Sequence, residues 1–182
     1  ANTQMPQVVI AAADSFLNLL DPGARVLDLG CGTGRDMAWL EHRGAIVVGA
    51  DLSTQMLAQA QHQTRGSLIK MDMRRPAFRT GCFHGAWCDA ALLHLPKADA
   101  CRTLSEVRRL LVPCGPFFLS VQRGTGEGWE QSARYGKSIE RYFARYSTEE
   151  MQAMLDSSGF TVLEHTSNVE GSRCWLSFLT TA

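Results

Sequence analysis

Three glycines in "RVLDLGCGTGRD", Arg25 to Asp36, follow an apolar run that carries one acid, Asp28. A glycine-rich turn after a strand lets backbone approach a ligand closely, and such turns often hold nucleotides. The spacing decides which kind. A triphosphate loop requires G-x-x-x-x-G-K-[ST], and no Lys follows Gly34, so that chemistry is excluded. A dinucleotide fingerprint requires a third glycine where Arg35 stands. What remains is G-x-G-x-G at Gly30, Gly32 and Gly34, with Asp28 placed to accept hydrogen bonds from the loop amides. Two more acids close the next apolar runs. Asp51 follows "AIVVGA" and suits a carboxylate that takes two ribose hydroxyls. Asp72 ends "SLIKMD" and can accept an exocyclic amine, with the backbone N–H of Met73 beside it for a ring nitrogen. Together these residues suit an adenosine, and nothing nearby is built to neutralise a pyrophosphate.

Apolar runs that read as strands alternate with segments of helical spacing, and these must position the acids. The pattern predicts a helix over 6–20, strands at 25–29, 45–50, 67–72, 85–92 and 116–121, and helices from Gly34 to His42, from a Ser53 cap to His62, and over 97–111. Ser147 and Glu150 read as a capping box opening a helix that Gly159 ends. "FTVLEH" and "RCWLSFLTT" read as two closing strands, whereas residues 122–146 read as irregular. Continuous apolar strands between helices predict an α/β fold, a mostly parallel sheet covered on both faces. Such sheets bind ligands beyond the C-terminal ends of their strands, where the glycines, Asp51, Asp72 and Cys88 to His94 stand.

Composition narrows the partners. The 182 residues fit one domain, 1–182, with an N-terminal helical part up to residue 24. Lys plus Arg equals Asp plus Glu at 18 each, which does not favour binding driven by nucleic-acid phosphates. The first residues lack a basic front and carry Asp14 within their apolar part, so no secretory leader is expected, and no run is apolar enough for a bilayer. The six cysteines show no paired short spacing and read as reduced thiols of a cytoplasmic protein. Cys82, His84, Cys88, His94 and Cys101 lack metal-ligand spacing, so no metal is expected.

The segments "VLDLGCGTGRD", "VVGADLSTQML", "MDMRRPAF", "CFHGAWCDAALLHLP", "EVRRLLVPCGPFFLS" and "YSTEEMQAMLDSSGF" stand in the order seen in class I S-adenosylmethionine-dependent methyltransferases, and from Arg25 onward the chain resembles that family. The resemblance implies a Rossmann-like, doubly wound sheet of seven strands, its last strand antiparallel and inserted beside the fifth. It implies S-adenosyl-L-methionine as cofactor and S-adenosyl-L-homocysteine as product. It places Gly30, Gly32 and Gly34 under the methionine part, Asp51 on the ribose, Leu52 on the adenine face and Asp72 with Met73 at the adenine edge. The carbonyl of Cys88 would lie near the methionine amino group, and Arg35 would meet the carboxylate. Two positions depart from the family pattern: Phe83-His84 replaces Phe-Asp, and Pro113-Cys114-Gly115 replaces Pro-Gly-Gly. A cysteine there would strain a turn that glycine fits.

Methyl transfer from a sulfonium needs chiefly an acceptor held in line and away from water, so no obligatory triad is expected. His94 is the candidate base for an acceptor that must lose a proton. Residues 122–146 are the expected lid of the acceptor site. They carry Arg123, Glu127, Trp129, Arg134, Tyr135, Arg141, Tyr142, Phe143 and Tyr146, of which Arg123, Trp129, Arg141 and Tyr142 are the candidate acceptor contacts. Arg and aromatic residues there suit a small molecule with an aromatic or anionic part. An RNA or protein acceptor on the same fold is the alternative, and a cofactor-binding subunit without turnover is a third reading. The chain is expected to act as a monomer or homodimer.

Overall fold

In the computed structural model the described residues are 7–132 and 139–182. Arg134 and Tyr135 of the expected lid lie outside them. The elements in chain order are α1 (Gln7–Leu17), β1 (Arg25–Leu29), α2 (Arg35–His42), β2 (Ile46–Asp51), α3 (Thr54–Ala60), β3 (Ser67–Lys70), β4 (Gly85–Cys88), a 3-10 turn (Leu92–His94), α4 (Lys97–Leu110), β5 (Pro116–Gln122), β6 (Glu127–Ser132), β7 (Ile139–Ala144), α5 (Thr148–Ser157), β8 (Thr161–Glu170) and β9 (Arg173–Thr181).

Seven strands form one sheet in the order β3-β2-β1-β4-β5-β9-β8. The pairs from β3 through β5 are parallel, and β9 inserts antiparallel between β5 and β8. This is the seven-stranded Rossmann-like sheet expected from the resemblance. Strand order turns back between β1 and β4, which makes the C-terminal ends of those strands the crevice of the sheet. Period-two alternation sends neighbouring side chains to opposite faces. Val26, Trp87 and Phe118 join Phe16, Met37 and Leu40 on one face. Leu27, Ala86 and Phe117 join Leu104, Val107 and Leu155 on the other. Trp87 stacks on Phe118 at 3.8 Å between centroids and takes Phe16 edge-on at 5.4 Å. Each large side chain so buried contributes roughly 1.5–3 kcal/mol relative to exposure.

Local signals explain most boundaries. Ser53 Oγ accepts from Met56 N at 3.3 Å and opens α3, Ser147 Oγ accepts from Glu150 N at 3.1 Å and opens α5, and Gly159 at φ 84° ends α5. The second half of the predicted capping box does not form. Glu150 instead takes Lys97 Nζ at 2.6 and 2.8 Å, joining the start of α5 to that of α4.

Three further expectations are corrected. The fourth strand ends at Cys88 rather than 92, because Ala90 turns to φ 51° with its N–H donating to Ser120 Oγ at 2.9 Å. The third strand stops at Lys70, where Asp72 bends the chain by accepting from Arg74 N at 3.0 Å. Part of the supposedly irregular 122–146 segment is an antiparallel ribbon, β6 with β7, in which Trp129 stands opposite Tyr142. The two family departures have local explanations. His84 Nδ1 accepts from Arg25 N at 3.0 Å, and Cys114 adopts φ 62°, the strained conformation its position demands.

Candidate active site

The three glycines serve different ends. Gly30 lies at φ 77°, and a Cβ there would stand 2.3 Å from Ala91 Cβ. At Gly34, φ 83°, a Cβ would press on Ala60 at 3.1 Å. At Gly32, φ 54°, a Cβ would enter open space, with only Gly30 O as near as 4.0 Å. The loop is tied to β2 by Gly30 N and Cys31 N, which donate to Ala50 O at 2.7 and 3.1 Å.

Asp51 does the shaping expected of Asp28. Its Oδ2 accepts from Gly32 N at 3.0 Å and its Oδ1 from Ser53 N at 2.7 Å. Asp28 is instead 2% exposed, and its Oδ2 is buried without a hydrogen-bond partner. Burial, with Asp36 and Asp89 nearby, holds its carboxyl well above the ordinary carboxylate range.

Arg35 bridges two acids at the mouth of this loop. Its Nε donates to Asp36 and its Nη2 donates to Asp89 Oδ2 at 2.6 Å. Asp36 in turn accepts from the Trp87 indole at 3.0 Å. Asp89 also accepts from the Ser120 hydroxyl. Burial, with Asp36 beside it, pushes Asp89 up to about 6. Sequence reasoning missed Asp89 as a site residue. The available signal was weak, an acid inside a run that stays apolar on either side, without the strand-closing change of residue class that marks Asp51.

The adenine-side candidates lie along the ends of β2 and β3. Leu52 is 61% exposed, an apolar platform beside Asp51. Met73 reaches back to Gly30, with its Cε 3.3 Å from where a Cβ would stand there. Asp72 is gripped by the Arg74 guanidinium at 2.6 and 3.0 Å, which holds its carboxyl below the ordinary range. Arg74 also reaches Asp99 in α4 at 3.2 Å. Cys88 is buried in the core, and burial pushes its thiol up to about 12. Only its backbone is therefore suited to a ligand.

On the acceptor side His94 straps the 3-10 turn to the ribbon. Its Nδ1 lies 2.8 Å from Tyr142 O, and since a carbonyl only accepts, Nδ1 carries the proton. Nε2 faces the Arg141 guanidinium, and Phe143 lies edge-on at 4.9 Å. Trp129, 69% exposed, meets Tyr142 edge-on at 5.6 Å. Desolvation and a hydrogen bond to Glu127 raise the Tyr142 phenol above its ordinary value. Glu127 also caps α4 by accepting from Lys97 N at 2.7 Å. The fold thus pairs the His94 and Arg141 side chains and, separately, the rings of Trp129 and Tyr142, the two pairs being joined through the Tyr142 backbone carbonyl. Arg123 stands apart at the foot of the ribbon, exposed, with its N–H donating to Cys174 O at 2.8 Å.

Among the described residues, no three His, Cys, Asp or Glu side chains gather as metal ligands. No described helix is long and apolar enough to cross a membrane.

A Rossmann-like sheet with an acid-flanked glycine loop at its switch point defines a class of nucleoside-binding α/β proteins. Comparison with known proteins gives the family. Residues 26–115 match the methyltransferase domain model. The chain is 30% identical over 159 residues to the 18S rRNA (guanine-N(7))-methyltransferase bud23 of Schizosaccharomyces pombe, covering 85% of this chain and 54% of that protein. It is 34% identical over 109 residues to a ubiquinone biosynthesis O-methyltransferase of Xanthomonas oryzae pv. oryzae, covering 57% and 45%. The chain thus spans about half the length of these curated relatives. A solved SAM-dependent methyltransferase from Methanosarcina mazei shares the fold, with TM-score 0.81 and 16% identity over 98% of both chains. Residues 26–115 are thus a methyltransferase domain, and the chain has the fold of the S-adenosylmethionine-dependent methyltransferases.

Proposed function

We propose that this chain transfers a methyl group from S-adenosylmethionine to a small-molecule acceptor. The observation that carries the reading is the cleft beyond β1 and β2, where Gly32 leaves open space, Asp51 orders the loop and Leu52 offers an exposed apolar face. These residues fit the cofactor: Asp51 for ribose hydroxyls, Leu52 for the adenine face, Asp72 and Met73 for its edge, and the glycine loop for the methionine part. Arg35 meets the carboxylate with the N–H groups that Asp36 and Asp89 leave over. Asp72 serves adenine once it shares or releases Arg74.

When bound, the cofactor supplies an electrophilic methyl on a sulfonium. The chain's own work is then to position the acceptor and exclude water. Trp129, Tyr142 and Arg141 on the ribbon provide aromatic and cationic contacts for an acceptor. His94 can take a proton only when Arg141 turns away from Nε2, so its base role is coupled to movement of the ribbon.

An RNA acceptor is the second reading, since the bud23 match covers 85% of this chain. The even balance of 18 basic and 18 acidic residues favours the small molecule. Incubation with methyl-labelled cofactor, offering metabolite fractions and ribosomal RNA separately, tests both. Label in a metabolite fraction is the expected result. Label in RNA alone would replace the first reading by the second, and no label in either would leave a binding subunit.

A further inference from the structure

The seven-stranded sheet ends in two edges of different build. At one edge β3 is only four residues long, and exposed Arg65 and Lys70 flank it. Short length and cationic side chains discourage the addition of another strand. At the other edge β8 runs ten residues with neither Pro nor Lys. Its one irregularity is a bulge between Val162 and Glu164. The stretch from His165 to Val169 carries no Asp, Glu, Lys or Arg. Leu163 and Val169 are apolar side chains 47% and 75% exposed along this edge. Among the described residues, no strand pairs with the outer side of β8.

The backbone of β8 is aimed for a further strand. Cys174 O accepts from Arg123 N at 2.8 Å on the β5 side, so the peptide groups of Cys174 turn away from Val169, its opposite in β8. In an antiparallel pair such positions alternate with hydrogen-bonded ones. Ser167 opposite Leu176 and His165 opposite Phe178 continue the alternation. Val169, Ser167 and His165 therefore present their N–H and C=O groups outward, whereas Thr166 and Asn168 bond to β9.

Charge selects both occupant and register. A second β8, laid antiparallel across a two-fold axis, is self-complementary when Thr166 stands opposite Thr166 of the copy. His165 then stands opposite Ser167, and these two outward-facing residues exchange backbone hydrogen bonds. Glu164 stands opposite Asn168, a carboxylate against an amide. An axis on Ser167 would instead set Glu164 opposite Glu170, and like charges directly opposite are unfavourable. A two-fold contact also closes with two copies, whereas β8 added to β3 of another copy would continue without end. We propose that β8 pairs with β8 of a second copy of this chain, centred on Thr166, joining two sheets into one. Strands β5 and β9 lie between β8 and β4, so the pairing leaves the cofactor cleft open. A strand pair of this length falls at the small end of specific interfaces, about 1,200 Å² or less, so the dimer is concentration dependent.

Sedimentation velocity across micromolar to millimolar concentrations tests the proposal. The chain should pass reversibly from monomer to dimer. Ser167→Pro removes an outward N–H and leaves the β9 ladder intact, and it should weaken the dimer by at least about tenfold. Thr166→Lys sets two ammonium groups opposite each other at the axis and should do the same without altering the backbone; circular dichroism checks that both variants fold. Residues opposite at a non-hydrogen-bonded position stand about 4.5 Å apart at Cα, within disulfide reach. Thr166→Cys should therefore form a covalent dimer on mild oxidation, in a yield that neither the wild type nor Glu164→Cys matches. A monomer at every concentration overturns the proposal, as does a dimer that both Ser167→Pro and Thr166→Lys leave unchanged. A dimer in which Thr166→Cys does not cross-link overturns the register.

Discussion

Asp51 and Arg35 illustrate two ways a charged residue can organise this site. Asp51 holds Gly32 N and Ser53 N at once, so it fixes the loop while each of its oxygens can still accept a second hydrogen bond. Asp51→Ala should abolish S-adenosylhomocysteine binding by calorimetry; retained affinity would place the ribose elsewhere. Arg35 is the counter-ion of a buried acid cluster, and removing one partner of such a set costs about 3–5 kcal/mol. The sign of its pH dependence follows from Asp89, whose raised carboxyl, about 6, makes the native state hold a proton that the unfolded chain releases. Stability therefore falls as pH rises through that range, and it falls further once the cation is gone. Thermal melts of Arg35→Leu should show a loss that is larger at pH 8 than at pH 5, and a pH-independent loss would mean the acids do not depend on Arg35. Asp51 and the glycines were legible in the sequence because each closes a strand and changes residue class. Asp89 was not, because "CDAALL" stays apolar on either side, and no residue type announces the positive φ of Ala90.

Turns and the ribbon carry the element-scale features. Cys114 sits at φ 62° before β5, with its N–H donating to Ala182 O at 2.9 Å. The left-handed conformation costs a non-glycine residue about 1–2 kcal/mol, partly offset by the greater freedom glycine has when unfolded. Cys114→Gly should stabilise the chain by about 0.5–1 kcal/mol in chemical denaturation, and a loss of stability would contradict the assigned strain. The ribbon is held at His94 by Tyr142 O and Arg141. His94→Ala should speed amide exchange over 139–144 while β4 and β5 keep their protection; unchanged exchange would remove the strap. The main strands and helices were legible from apolar period and caps. The ribbon was hidden because Gly128 interrupts the alternation of its first strand, and its pairing rests on cross-strand contacts such as Trp129 with Tyr142.

For the whole molecule, a parallel core with one inserted antiparallel strand puts the acids and glycines at one end of the sheet. That architecture could be read from ordered motifs, since right-handed crossovers leave few ways to arrange them. The acceptor could not be read, because the candidate contacts Trp129, Arg141 and Tyr142 stand on the ribbon, whose side-chain placement depends on tertiary packing. One cofactor in one cleft underlies the proposed activity. Calorimetric titration with S-adenosylmethionine measures that directly. Saturable one-to-one binding with a Kd in the micromolar range is the expected result, on the scale of ordinary enzyme affinities. No binding of S-adenosylmethionine or S-adenosylhomocysteine at millimolar concentration would contradict it.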